Sequence, residues 1–193
     1  TVSVTSDLDL VGTDVALMNG LAHVILKEGL YDAAFIEERT EGFAQWRQVV
    51  AEYTPESVAE ITHVPAEQIV RAARMYATAG GRSGGASSIL YTMGVTQHTT
   101  GTDNVKAVAN LALLTGNVGK PYSGVNPLRG QNNVQGACDM GALPDVYTGY
   151  QKVAFEEARA KFEQAWGCSL PSEPGKTIPE MLDAIETGEI RAM

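Results

Sequence analysis

Apolar positions in the first half of the chain recur at helical spacing, broken by short polar punctuation. Val15, Met18, Leu21, Ala22 and Ile25 mark one face of a helix that opens at Gly12-Thr13-Asp14 and ends at Gly29. Thr13 offers a capping hydroxyl, and Asp14 suits the positive end of the helix. Phe43, Trp46, Val49 and Val50 predict a helix near residues 41–53, and Thr54-Pro55-Glu56 opens the next with Pro at its first position. Val64-Pro65-Ala66-Glu67 starts another, with Ile69, Ala73 and Tyr76 on its buried face and Arg71 and Arg74 on its surface. Alternation of Val2, Val4, Leu8 and Leu10 predicts a strand at the start, and Ser87-Ser88-Ile89-Leu90-Tyr91 predicts a second. A helix over residues 102–115 carries Val105, Val108, Ala109, Leu111, Ala112 and Leu114 around most of its circumference, so it is expected to be buried.

The last third repeats the theme more weakly. Leu143-Pro144-Asp145 reads as a turn and Tyr147-Thr148-Gly149-Tyr150 as an extended segment. Residues 154–166 predict a charged helix that buries Phe155, Phe162 and Trp166. After a linker at 172–175, Thr177-Ile178-Pro179 starts a helix with Ile178, Met181, Leu182 and Ile185 on one face. Gly188 stops it, and a strand is expected to begin at 189–193.

One stretch follows neither period. Residues 116–141, GNVGKPYSGVNPLRGQNNVQGACDMG, hold six glycines, four asparagines and three charged residues, Lys120, Arg129 and Asp139. Glycine lets backbone approach a ligand closely, and Asn tolerates left-handed conformations while offering both donors and acceptors. This composition fits ordered irregular backbone around a large polar group, with Arg129 the cation of its second half. A second loop of interest, Met93-Gly94-Val95-Thr96-Gln97-His98-Thr99-Thr100-Gly101, follows the strand at 87–91 and precedes the buried helix. Strand, polar turn and helix make a βα unit, and ligands of open α/β sheets bind at such turns. Gly80-Gly81-Arg82-Ser83-Gly84-Gly85 is not a phosphate loop, because it follows a helix and precedes a strand, the reverse of the order such a loop needs.

Composition narrows the function classes. The chain has 193 residues, is 44% hydrophobic and 19% charged, and carries a net charge of −9. That charge argues against a nucleic-acid backbone or an anionic membrane surface as partner. Two cysteines, Cys138 and Cys168, are too few for an iron–sulfur or structural zinc site, and suit reduced thiols in a cytoplasmic protein. His23 and His63 lack companion ligands, so no metal site is expected. No catalytic triad or paired-carboxylate motif emerges.

The run LLTGNVGKPYSGVNPLRGQNNVQGACDMGALPDVYTGYQKV, residues 113–153, resembles the molybdopterin-dependent oxidoreductases, and within them the catalytic subunit of molybdenum or tungsten formate dehydrogenases. The resemblance extends more loosely from Gly12 to the end. It implies a Rossmann-like parallel sheet flanked by helices over residues 1–130, followed by the start of a second α/β domain over 131–193. It further implies binding of bis(molybdopterin guanine dinucleotide) with Mo or W, and interconversion of formate and carbon dioxide. Arg129 is the residue implied to hold formate beside the metal. Gly12, Thr13 and Asp14 are implied to abut a guanine nucleotide, although Val11 stands where the family usually has Pro. Met93, Gly94, Gln97, Gly130 and Gln131 are implied to contact the cofactor. The family's [4Fe–4S] cluster ligands and its metal-ligating Cys or selenocysteine are absent from this chain. It is therefore expected to be an inactive segment of a subunit that works with the rest of its own chain and with electron-transfer subunits. The alternatives are another molybdopterin enzyme such as a nitrate reductase, or a non-catalytic nucleotide-binding or assembly module of the same fold.

Overall fold

A computed structural model describes residues 11–78 and 86–192. The strand expected at the start and the Gly/Ser segment at 80–85 lie outside them. The chain divides into two compact units, one ending at Leu128 and the other beginning at Arg129.

The first unit is built around helix α1, Asp14–Lys27, which the short helix α2, Ala33–Arg39, follows in the chain. It packs against α3 (Phe43–Val50), α4 (Pro55–Thr62), α5 (Ala66–Thr78) and α7 (Gly101–Leu114). So many neighbours bury more than the single face expected: Ala16, Leu17, Leu21, Ala22, Val24 and Ile25 are all in the core, with polar Asn19 beside them. Gly20 is part of the reason α4 comes close. A Cβ there would stand 3.0 Å from the Val58 side chain, tighter than ordinary packing allows. Thr13 occupies the N-cap position without a side-chain capping bond, contrary to expectation. Its ψ of 12° is far from the extended conformation that aims a capping hydroxyl at the first turn. Thr54 does cap α4, accepting from the Ser57 amide at 3.2 Å, and Pro55 follows as the first helical residue.

In α5 the expected spacing holds, with Ile69 and Ala73 buried and Arg74 on the surface. Arg74 reaches back to Glu28 at 2.7 Å, and this hydrogen-bonded guanidinium lowers the Glu28 carboxyl below its ordinary value. In α3, Val50 is buried but Val49 is 55% exposed, so the apolar face is narrower than its spacing suggests. His23 Nδ1 pairs with the Val50 carbonyl oxygen at 3.2 Å, and His63 ends α4 with a φ of 63°.

Strand β1, Ser88–Tyr91, pairs in parallel with β2, Gly124–Pro127, in the register Ser88 to Gly124 through Tyr91 to Pro127. Between them run the short helix α6, Met93–Thr96, and α7. The result is a βαβ unit and a small parallel sheet within a helix-rich α/β body. Helix α7 buries Ala107, Val108, Leu111, Ala112 and Leu114, while Val105 and Ala109 are only half-buried. Asn104 takes the core position instead.

The second unit contains α8 (Val134–Asp139), an antiparallel pair β3 (Val146–Tyr147) and β4 (Gln151–Lys152) joined by a 3₁₀ turn, then α9 (Glu156–Trp166) and α10 (Ile178–Glu186). Its small core stacks Tyr147 against Phe162, with ring centroids 4.9 Å apart, and Phe162 against Trp166 at 4.8 Å. Of the three aromatics expected to be buried in α9, only Phe162 is. Phe155 is 64% exposed because it precedes the first helical turn, and Trp166 covers the cluster edge at 53% exposure. Helix α10 starts at Thr177 as expected, in a capping box with Glu180, but among its residues only Ala184 is buried. Ile178, Leu182 and Ile185 are exposed, and residues 189–192 form no strand.

Candidate functional site

Two parallel strands end at the same edge of their sheet, so the turn after β1 and the chain leaving β2 share that edge. The Leu128 amide donates to the Tyr91 carbonyl oxygen at 2.7 Å and prolongs the pairing past the last strand residue. Beyond β1 the chain makes the single turn of α6, which leaves Met93, Gly94 and Gln97 exposed. Gln97 Nε2 lies 3.3 Å from Met93 Sδ, and His98 Nε2 pairs with the Gly94 carbonyl oxygen at 2.7 Å. A Cβ at Gly94 would meet nothing within 4 Å, so the outer side of the turn is open. Its inner side is closed. At Gly101 a Cβ would stand 2.1 Å from the Thr96 carbonyl oxygen, so only glycine lets α7 start so close behind the turn.

Asn104 ties this turn to the first residues of α1. Its side chain is fully buried, and Nδ2 donates to the Val95 carbonyl oxygen at 2.8 Å and to Asp14 Oδ2 at 3.5 Å. The Thr100 hydroxyl donates to Asn104 Oδ1 at 3.4 Å. One amide thereby holds Asp14 and Val95, the residue after Gly94. The expected cofactor residues Asp14, Met93, Gly94 and Gln97 are therefore gathered at one end of the first unit, with Gly12 and Thr13 leading into Asp14. Gly12 has a φ of 87° and open space where a Cβ would stand. Asp14 places a carboxylate in the first turn of α1, where an acceptor for N–H groups meets the positive end of a helix.

Part of the glycine- and asparagine-rich stretch is scaffold. Asn117 is buried, accepts from the Ser87 amide at 3.0 Å and donates to the Thr115 hydroxyl at 2.9 Å, anchoring the approach to β1. Nearby, burial pushes the Tyr76 hydroxyl above its ordinary value, opposed by its proximity to Thr115 and Asn117.

Arg129, Gly130 and Gln131 open the second unit and are exposed. Arg129 Nη1 donates to Gln135 Oε1 at 3.4 Å and Nη2 to Cys138 Sγ at 3.4 Å. Gln135 Nε2 in turn donates to Asp139 Oδ1 at 2.8 Å and to the Tyr150 hydroxyl at 3.1 Å. Burial, reinforced by Asp139, holds the Tyr150 hydroxyl above its ordinary value. Neither partner of the Arg129 guanidinium is a carboxylate. Among the described residues it enters no ion pair, so a structural salt bridge does not account for it. Cys138 and Cys168 are both free thiols. Among the described residues, no group of three or more His, Cys, Asp or Glu side chains could hold a metal ion. No helix there is long and apolar enough to cross a membrane.

The model of the molybdopterin oxidoreductase family matches residues 10–193. The chain belongs to that family. Within the molybdopterin oxidoreductases it is 54% identical to formate dehydrogenase H of Escherichia coli over 182 residues, covering 94% of this chain and 25% of that protein. It is 53% identical to the F420-dependent formate dehydrogenase subunit alpha of Methanocaldococcus jannaschii over 172 residues, 89% of this chain and 24% of that one. The chain thus spans about a quarter of the length of these curated relatives. Among solved structures, acetylene hydratase from Pelobacter acetylenicus matches 54% of this chain and 14% of its own, at 34% identity and a TM-score of 0.49, a likeness too partial to bear on the fold.

Three residues of these arrangements were not singled out by the sequence: Asn104, Gln135 and Tyr150. Asn104 carried a signal, an amide one turn ahead of Val108 and so on the apolar face of its helix. Gln135 and Tyr150 carried none, because their role depends on the fold bringing α8 and the 3₁₀ turn together.

Proposed function

We propose that the chain is the segment of a formate dehydrogenase catalytic subunit that lines the bis(molybdopterin guanine dinucleotide) site and orients formate. Its body is read as the carboxyl-terminal part of a Rossmann-like domain spanning 1–130, and 131–193 as the beginning of a second α/β domain. The observation that carries the reading is Arg129, an exposed guanidinium held by Gln135 and Cys138 inside the RGQNNVQGACDMG run. Its planar fork matches the two oxygens of a carboxylate, and among the described residues no carboxylate pairs with it.

The residues fit the cofactor in their chemistry. Asp14 offers a carboxylate to the N–H edge of a guanine, and Gly12 and Gly94 leave open backbone against which a large polar group can lie. Gln97 and Gln131 are exposed amides able to donate to and accept from a pterin ring. When bound, the group supplies a metal, Mo or W, that accepts the two electrons of formate oxidation. This chain binds and orients: Arg129 holds formate by its carboxylate, and the glutamines and glycines contact the cofactor rings. The remaining walls, the metal ligand and the [4Fe–4S] cluster ligands belong to the rest of the catalytic subunit. Electron-transfer subunits take the electrons onward. The segment alone is proposed to be inactive. Two free thiols suit a reducing, cytoplasmic setting.

The test is Arg129→Lys in the complete enzyme. Lysine keeps the charge but cannot reproduce a two-pronged grip, so formate turnover should fall about tenfold or more while metal and pterin content stay normal. Unchanged turnover at both low and saturating formate would remove Arg129 from the site.

A further inference from the structure

We propose that Gln135 is the positioning residue of Arg129, and that it must be an amide because an amide orients the guanidinium without neutralising it. This rests on the reading of Arg129 as the cation that holds formate.

The orientation of the Gln135 side chain is decided by its neighbours' chemistry. A guanidinium can only donate and a carboxylate can only accept. Arg129 therefore requires the amide oxygen, and Asp139 requires the amide nitrogen, as the contacts at 3.4 Å and 2.8 Å have it. The Tyr150 hydroxyl, 3.1 Å from the same nitrogen, accepts the second amide hydrogen. Turning the amide over would set donor against donor at Arg129 and acceptor against acceptor at Asp139. Gln135 and Asp139 stand four residues apart on α8, the spacing at which helix side chains meet. Tyr150 is held from the other side, with a left-handed φ of 59° that few non-glycine residues adopt. The amide oxygen is thus fixed from behind, and it fixes Nη1 while Cys138 Sγ fixes Nη2.

Asp139 supplies the negative charge of the cluster, yet it reaches Arg129 only through this amide. A carboxylate at position 135 would meet Arg129 directly, compete with formate for the fork, and stand against Asp139. A methionine would keep the length of the side chain but offer Arg129 no strong acceptor.

The experiment uses the complete enzyme carrying Gln135→Glu, Gln135→Met or Arg129→Lys. Formate is titrated calorimetrically into each after reduction with dithionite, a state in which it binds without being oxidised, and steady-state kinetics are measured on the unreduced proteins. Gln135→Glu is expected to weaken formate binding and raise its KM by about tenfold, with kcat changed less than about threefold. Gln135→Met is expected to weaken binding by about threefold to tenfold, the loss of one hydrogen bond to a charged group. A purely structural role for Gln135 would instead lower metal content and kcat and leave KM unmoved, and that result overturns the proposal. So does unchanged formate affinity in Gln135→Met, which decides alone if Gln135→Glu does not accumulate. Should Arg129→Lys bind formate normally, the reading of Arg129 fails first; should it lose formate while both Gln135 variants keep it, only the role of Gln135 fails.

Discussion

Asn104→Asp changes almost nothing in shape and removes one donor from the middle of the first unit. In the wild-type protein Nδ2 faces the Val95 carbonyl oxygen at 2.8 Å and Asp14 Oδ2 at 3.5 Å, both acceptors, in a fully buried position. An oxygen in its place would face two acceptors. If ionised, two charges about 3.5 Å apart at an effective dielectric constant of about 20 repel by about 5 kcal/mol. If protonated, the new group satisfies only one of the two acceptors. Protonating it at pH 7 costs about 4 kcal/mol, because an ordinary aspartate pKa of about 3.9 lies about three units lower. The protonation route is the cheaper, so it sets the penalty. The sign follows from linkage. The folded-state pKa of the new carboxyl is raised, so the variant loses stability relative to wild type as pH rises above about 4, until that raised pKa is reached. The deficit is about 1.5 kcal/mol at pH 5 and about 4 kcal/mol at pH 7. Hydrogen exchange on the complete enzyme reads this locally. Amides in residues 93–104 should exchange about tenfold faster than wild type at pH 5 and about a thousandfold faster at pH 7, the intrinsic pH dependence cancelling in the ratio. A ratio that is the same at both pH values, or protection that is unaltered, would refute the claim that Asn104 donates to Asp14 and the turn.

Three further substitutions test the turn after β1 and the two exposed amides. Gly101→Ala should displace the α6 turn, since its Cβ would meet the Thr96 carbonyl oxygen at 2.1 Å, a backbone atom that cannot rotate away. Pterin content of the purified enzyme should drop, and full pterin occupancy with unaltered exchange over 93–101 would count against the close approach. Gln97→Ala and Gln131→Ala should each lower cofactor retention or shift the metal's potential, at a cost of about 1–3 kcal/mol per ring group left unpaired. Full occupancy and an unshifted potential in both would make them ordinary loop residues.

Local signals were legible wherever the physics that made them was local. Thr54-Pro55-Glu56 announced the start of α4 because a capping hydroxyl and a proline act within four residues of each other. The face of α5 followed from its period, and the order strand, turn, helix placed Met93 to Gln97 at the end of β1. Periodicity failed where burial is decided by distant partners. It expected one apolar face on α1, but four other helices surround that helix and bury nearly its whole circumference. It expected buried faces on α9 and α10, whose apolar residues are for the most part exposed. Spacing states that residues share a face; it does not state that anything packs on it.

The polar residues of the core show the same limit at the site itself. Asn104 and Asp14 are ninety residues apart in the chain, and only the fold makes the one the hydrogen-bond partner of the other. A buried amide is costly unless its donors and acceptor are satisfied, so its presence in α7 requires that the α1 terminus and the α6 turn be held in one relation. That constraint is what a cofactor wall needs, since residues that must touch one rigid ligand from two loops have to keep a fixed separation. The Arg129 cluster solves the complementary problem. There the requirement is a cation that stays charged and stays aimed, and an amide between guanidinium and carboxylate delivers both. In each place a side-chain amide stands between groups of fixed character, because it can donate on one side and accept on the other while staying uncharged. The amides in and around the glycine-rich stretch were legible as a composition. Their division into exposed Gln131, Gln135 bonded to Arg129 and Asp139, and buried Asn117 was not, because composition carries no direction.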